Sequence, residues 1–389
     1  MQLNGLLNIV LVLGLWRLHN MTVQLVSGLG INPQFAATDK VLGRSTAGAG
    51  AGEEIACTAA GRNIIAGTVP FMGKNKLING NQQVWQRGTT FVPTTAGMYC
   101  SDRFLITPAG ASLTEAGQEA TAALVPPNLL SLYSLRLRGN ASVTTVDIAQ
   151  RIEAKNAAPL RQNCTFSFWL YSSGQAAAFK PKVLINTANV ADVFTAVTNK
   201  LSQDQDDNTV GAWKKYTVTF DATAYANAEK GIEVVIRIPD GNLHDTDHYV
   251  YLSQLQLEAG AAATEFENKL YGETLRDCEF YCYKLGGRNA VELIGVGKTY
   301  STTEAQLYAA IPQMRSQPVA TFVGAAAGLS ANNATNTYYA ATSAGAAAYG
   351  PNGFVVYFTY ATGAIFTAGH ATQMYFNAAT TYILLEAEL

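Results

Sequence analysis

The chain has 389 residues, a formal net charge of −2 and a charged fraction of 14%, well under the ~25% usual in soluble proteins. That length allows two or three domains with real cores. A neutral-polar surface without any Lys/Arg-rich run excludes a nucleic-acid-binding class, which needs a basic stripe to meet phosphates.

Gly5 to Trp16 (GLLNIVLVLGLW) is an apolar run, short of the ~20 residues that a membrane span needs. It lacks the positive leader region and small-residue cleavage site of a signal peptide. Residues 1–20 therefore read as an apolar N-terminal extension, with Met21 as an alternative natural start. Thr38 to Gly67 is rich in Gly, Ala and Thr, with Val41, Leu42, Ile55, Ile64 and Ile65 as isolated apolar points. Such a segment cannot bury enough surface to fold alone. It orders only by wrapping with copies of itself or by docking.

Next comes a strand start at Lys76 to Ile78, a turn at Asn79-Gly80-Asn81, and then Trp85-Gln86-Arg87-Gly88. Trp85 reads first as core between strands and second as a sugar platform. Asp102-Arg103 reads as an ion pair fixing a strand end. Candidate strands follow at Ser134–Leu137, Val143–Ile152, Cys164–Tyr171, Lys182–Ile185, Lys215–Phe220, Ile232–Ile238 and Tyr249–Leu257. In Lys215–Phe220, Tyr216, Val218 and Phe220 alternate with Thr217 and Thr219. Tyr249–Leu257 alternates with one slip at Ser253-Gln254, which predicts a bulged strand. Short strands between polar loops argue for a sandwich.

Asp204, Asp206 and Asp207 superficially suggest a calcium loop, but Thr209 and Lys215 stand where an EF-hand needs its Gly and its terminal Glu. His244, Asp245, Asp247 and His248 form the richest titratable cluster, beside the turn Asp240-Gly241-Asn242. An exposed hairpin loop explains it most simply. The five cysteines are Cys57, Cys100, Cys164, Cys278 and Cys282. They form no disulfide framework, which suits assembly in a reducing cytoplasm. The Cys278/Cys282 pair reads as core filler on a helix whose apolar face is Leu275, Cys278, Tyr281, Cys282 and Leu285.

The C-terminal stretch holds candidate strands at Leu307–Ile311, Val319–Val323, Phe354–Tyr360, Ala364–Phe366, Met374–Phe376 and Thr381–Leu389. In the last of these Ile383, Leu385 and Ala387 share a face, and the strand is expected to pair inside a sheet. Tyr338, Tyr339, Asn332, Asn333 and Asn336 concentrate in one expected loop. Tyrosine faces stack on sugar rings and Asn amides bond hydroxyls. Tyr338, Tyr339, Asn332 and Asn336 are thus the candidate glycan-binding residues, against a solvated loop or subunit contact.

Several motifs resemble those of bacteriophage virion proteins. LGRSTAGAGAGEEI followed by CTAAGR resembles their N-terminal attachment segment, over about thirty residues. The NG turn, WQRGTTF, and the step from Tyr99 to Asp102-Arg103-Phe104 resemble a recurring virion domain. FSFWLYSS, WKKYTVTF and YLSQLQLEAG, in that order, are similar to jelly-roll domains of the carbohydrate-binding-module type. YGETLRDCEFYCYK resembles the element that follows QLEAG in the same proteins, and PQMRSQP a pressed strand pair with a P-x-M-R-x-x-P turn.

The resemblance implies a mainly β chain with an extended N-terminal attachment segment, a jelly-roll β-sandwich, a short linking helix and a C-terminal β-sandwich. The expected layout is 1–20 extension, 21–74 virion-attachment and oligomerisation segment, 75–270 carbohydrate-binding-module-like sandwich, 271–285 linking helix and 286–389 C-terminal sandwich. It implies a non-enzymatic tail fibre that attaches by its N-terminal segment and contacts host-surface glycans. Expected partners are itself, as a homo-oligomer and in fibres usually a trimer, other virion proteins, and host-surface polysaccharide. No cofactor is expected beyond the structural calcium that such sandwiches sometimes hold. The location is the virion, assembled in host cytoplasm. The alternatives are an architectural capsid-decoration or collar protein without receptor binding, and a tailspike-like glycan-degrading enzyme. No GxSxG, HExxH, Walker A or dinucleotide fingerprint occurs, and no long repeat of a parallel β-helix.

Overall fold

The computed structural model describes residues 40–43, 53–56 and 73–389, apart from 129, 333–337 and 361–365. Two compact units divide at residues 58 and 59. In the first, β1 (Lys40–Gly43) pairs antiparallel with β2 (Glu53–Ala56). The expectations for residues 1–20, and for most of 21–74, lie outside the described residues.

The second unit begins its strands with β3 (Thr90–Phe91), β4 (Met98–Tyr99), β5 (Leu105–Pro108), β6 (Glu115–Glu119), β7 (Ser134–Arg138) and β8 (Val146–Glu153). A short helix α1 (Ala154–Ala157) precedes β9 (Asn163–Ser173), β10 (Lys182–Val190), β11 (Val193–Asp204), β12 (Lys214–Asp221), β13 (Gly231–Ile238) and β14 (Tyr249–Ala259). These make two six-stranded sheets, β11-β10-β13-β8-β5-β4 and β12-β9-β14-β7-β6-β3. The protein is mainly β, and these sheets form a sandwich. Ile148, Val183, Ile185, Val234 and Ile236 of one sheet meet Phe166, Phe168, Val218, Leu252 and Leu257 of the other in one core. The period-two pattern is the cause: in β12 the even-numbered Tyr216, Val218 and Phe220 are buried and the residues between them exposed.

Residues 193–204 are a strand that the sequence did not announce. β11 is an edge strand exposed along most of its length, so no alternation of burial marks it. β14 carries its bulge where the pattern slips. Its register against β9 shifts between Ser253 and Gln256, and Gln254 adopts φ 54°. The Asn79-Gly80 turn docks on this bulge. Gly80 O accepts from Leu255 N at 2.9 Å, and the Asn75 carboxamide donates to Leu255 O at 3.1 Å.

Helix α2 (Tyr271–Glu279) follows, then β15 (Cys282–Gly286), β16 (Glu292–Thr299), β17 (Glu304–Ala310), β18 (Val319–Val323), β19 (Leu329–Asn332), β20 (Tyr338–Ala340), β21 (Ser343–Ala348), β22 (Gly353–Thr359), β23 (Ala371–Phe376) and β24 (Tyr382–Glu386). The helix is shorter than the expected 271–285. It buries Thr274 and Cys278, and Cys282 and Leu285 instead belong to a strand. A spacing of three or four residues ran on across the helix–strand junction by coincidence, because Tyr281 and Cys282 are buried from the turn and the strand. A three-stranded sheet, β15-β24-β18, and a seven-stranded sheet, β20-β19-β23-β16-β17-β22-β21, enclose a second core around Leu307, Phe354, Phe358, Phe376, Ile383 and Leu385. β17 and β18 do not form the expected pressed pair. β17 pairs with β22 and β18 with β24, in different sheets. The turn between them is instead pinned to neighbours, with Met314 buried and its N–H donating to Pro351 O at 2.8 Å.

The WQRG signature joins the first sandwich to the second core. Trp85 packs on the first core, stacks on Phe91 and donates its indole N–H to Gln82 O at 2.7 Å. Gln86 caps the edge of β15 like a strand rung: it donates to Cys282 O at 2.5 Å and accepts from Lys284 N at 3.2 Å. Arg87 binds Glu386 at 2.7 Å, Glu388 at 3.0 Å and Asp102 at 3.4 Å. Arg103 pairs with Glu388, donates to Arg151 O at 2.7 Å and lies 3.4 Å over the Tyr281 ring. The adjacent Asp102 and Arg103 thus pair with other partners, and fix a domain joint rather than a strand end.

Burial pushes the Asp102 carboxyl up to about 6, against the opposing pull of Arg87 and of hydrogen bonds from Gln86. The folded state therefore holds this proton more tightly than the unfolded chain, whose value is near 3.8. The stability linked to it is present below the unfolded value and is lost as pH rises through the folded one. Asp102→Asn should gain stability relative to the parent between pH 4 and pH 7, about the window of that shift. Paired urea titrations at the two pH values check it, and an equal difference at both would refute it.

Candidate functional site

The outer face of the β12-β9-β14-β7-β6-β3 sheet is the candidate site. Strand alternation sets it: Phe166, Phe168 and Leu170 of β9 point into the core, and Ser167, Trp169 and Tyr171 lie on the opposite face. Across the strands, Lys215, Trp169 and Ser253 are in register, and so are Tyr171, Tyr251 and Arg136 in a neighbouring row. The Tyr171 ring meets Trp213 at 5.7 Å and Tyr251 at 5.6 Å, edge-on to the latter, and Tyr249 stacks on Tyr251 at 6.3 Å. Arg138 lies 5.6 Å over Tyr249. Arg136 is braced by Glu115 and Glu119, so the two carboxylates are occupied by one guanidinium. Burial pushes the Tyr251 phenol up to about 12, so it stays a neutral hydroxyl at ordinary pH.

A cavity of about 320 Å³ opens where this face meets the chain after β14, with Trp169, Phe266, Lys215, Glu265, Gln254 and Asn128 in its wall. That volume lies at the lower end of ligand cavities, ~300–1,000 Å³. The bulge at Gln254 turns an amide into the wall that a regular strand would not offer. Asn128 and Gln254 lock each other through reciprocal amide bonds of 2.8 and 2.5 Å. Lys215 donates to Thr264 O at 3.4 Å, and Glu265 is exposed. Two aromatic faces beside oriented amides, an ammonium and a carboxylate suit a flat, hydroxyl-rich ligand.

Of the residues expected to bind glycan, Asn332, Tyr338 and Tyr339 lie on strands of the seven-stranded sheet. Asn336 lies outside the described residues, and of Tyr338 only the backbone is described, paired with Asn332. Asn332 ends β19 rather than standing in a loop, and is 8% exposed. Its carboxamide oxygen accepts from Gln373 N at 2.7 Å and from the Thr372 hydroxyl at 3.3 Å. Tyr339 packs on the second core, its ring edge-on to Phe366 at 6.3 Å. These two side chains serve strand pairing and packing. Trp169 was within the alternating segment all along. The available signal was an indole and a phenol on a strand face otherwise made of Ser and Thr.

Among the described residues no group of three or more His, Cys, Asp or Glu is placed to hold a metal ion. Asp204 ends β11 and pairs with Lys182 at 3.2 Å. His244 and His248 meet edge-on at 4.8 Å in the loop before β14. Cys100, Cys164, Cys278 and Cys282 are buried free thiols. No described helix is long and apolar enough to cross a membrane.

No protein-family model matches the chain, and no curated protein does. Among solved structures it is similar to the enzymatically active domain of bacteriophage CBA120 tailspike protein 4, at 12% identity and TM-score 0.28, over 48% of this chain and 21% of that one. It is similar to a carbohydrate-binding module of the β-sandwich superfamily at 9% identity and TM-score 0.30, over 45% of this chain and 63% of that one. A third similarity is to the CBM22-2 xylan-binding domain of Paenibacillus barcinonensis Xyn10C, at 14% identity and TM-score 0.27, over 44% of this chain and 99% of that one.

Proposed function

We propose that this chain is a non-enzymatic bacteriophage virion protein of the tail-fibre type, and that its first sandwich contacts host-surface glycans through the Trp169 cavity. The observation that carries the binding role is the pairing of Trp169 and Phe266 with Lys215, Gln254, Asn128 and Glu265 around one opening. The virion-type motifs, WQRGTTF above all, support the location, and LGRSTAGAGAGEEI followed by CTAAGR supports the N-terminal attachment to other virion proteins. A glycan array probed with the parent and with Trp169→Ala tests it. The parent should bind a defined set of surface polysaccharides, and the variant should lose at least about tenfold, the ~1.4 kcal/mol that one stacked aromatic anchor contributes or more. Equal binding by both, or none by the parent, would remove the glycan role.

A second reading, an architectural capsid-decoration or collar protein, draws on one further observation. Leu293, Val296, Tyr308 and Tyr357 of the seven-stranded sheet are 53%, 61%, 69% and 42% exposed. An apolar face of this kind favours self-association into a homo-oligomer. Labelled antibody bound at a capsid face would favour this reading, and label at the tail the first.

A further inference from the structure

A second cavity, of about 300 Å³, opens away from the outer sheet face, between the stretch before the Asn79-Gly80 turn, the end of β8, α1 and α2. Five cations line it: Lys76, Arg103, Arg151, Lys155 and Lys269. Asp277 is the one carboxylate in its wall among the described residues. In a chain with 14% charged residues this is a marked concentration of one sign. The carboxylates that pair with Arg103 and Arg151, Glu388 and Glu233, do not line the cavity. Asp277 is bound to Lys269 at 3.0 Å. The Arg103 side chain is 2% exposed and its Nε, fully buried, has no acceptor among the described residues. A buried donor left without a partner costs free energy that a bound acceptor would return. Burial pushes the Lys76 ammonium down, with Glu267 pulling it up and the neighbouring Lys269 charge pushing it further down. Burial thus disfavours the charged ammonium here, and an anion in the cavity would offset that cost.

We infer that this cavity binds one anionic sugar unit, carboxylated or phosphorylated, with its charged group held by Lys155, Lys269 and Arg103. The volume takes a ring bearing a charged group more closely than it takes a bare ion. The Asn156 amide at the rim can meet ring hydroxyls, as sugar recognition requires.

Calorimetric titration of the full chain with sodium glucuronate, glucose 6-phosphate, glucose and inorganic phosphate tests this. In Trp169→Ala, where the first cavity has lost its indole, glucuronate or glucose 6-phosphate should bind and glucose should not, and the difference between the two acids identifies which anion is preferred. Lys155 is exposed and has no acidic partner among the described residues, so Lys155→Glu should fold normally and weaken binding at least about tenfold by charge reversal. Should that variant melt early, Lys269→Gln replaces it. Trp169→Ala should leave this binding unchanged, which separates the two sites. Glucose binding as well as glucuronate in Trp169→Ala, or binding untouched by Lys155→Glu and Lys269→Gln, would overturn the inference. So would inorganic phosphate binding as tightly as the sugar acids, which would mark an adventitious ion only.

Discussion

Arg103→Met should cost about 3–5 kcal/mol of stability, the range for breaking one side of a buried ion pair. The side chain is 2% exposed and serves three groups at once. It pairs with Glu388, donates to Arg151 O, and lies over the Tyr281 ring. Methionine keeps the volume but leaves Arg151 O without that donor and Glu388 with Arg87 alone, at 3.0 Å. The cost should concentrate at the joint between the first sandwich and the second core, because Glu388 follows the central strand β24 of the three-stranded sheet. Adding Glu388→Gln should therefore cost much less in the Arg103→Met background than alone, a coupling of about 1–3 kcal/mol. Urea titrations of the four proteins check it; additive losses would show that the two residues act separately.

Gly80→Ala should destabilise by about 2–3 kcal/mol, the upper range for overpacking. A Cβ there would stand 2.0 Å from Leu255 O, and neither partner is a flexible side-chain tip. Gly80 O is also the acceptor for Leu255 N, so the turn cannot retreat without losing that bond. The same substitution at Gly272 is the contrast. It is helical and exposed, and a Cβ meets nothing within 4 Å. Gly272→Ala should stabilise by up to about 1 kcal/mol through helix propensity. Thermal melts of both variants give the comparison, and a Gly80→Ala protein as stable as the parent would contradict the docking of turn on bulge.

Much of the first sandwich was legible where apolar and polar residues alternate along a strand. In β12, Tyr216, Val218 and Phe220 face the core, and in β14 the slip at Ser253-Gln254 marks the bulge. The edge strand β11 was not legible, since nothing covers most of it. Helix α2 was legible in its existence but not its end, because buried Cys282 continued a helical spacing from a strand. At the joint, Asp102 and Arg103 announced an ion pair, but their partners Arg87 and Glu388 are set by the tertiary fold, Glu388 lying 285 positions from Arg103. The cavity at Trp169 was hidden for the same reason. Asn128, Trp169, Lys215, Gln254 and Phe266 come from four separate stretches, which only the sheet order brings together. Local density of Tyr and Asn pointed to residues 332–339, where the Asn332 carboxamide accepts from Gln373 N and Tyr339 packs on the second core.

The most direct measurement is amide and indole NMR shift mapping of the full chain during titration with a bound array glycan. Shifts should concentrate on Trp169, Lys215, Gln254 and Phe266, and saturate with the binding curve. Shifts confined to residues 332–339, or spread without focus over both sandwiches, would contradict a glycan site at Trp169.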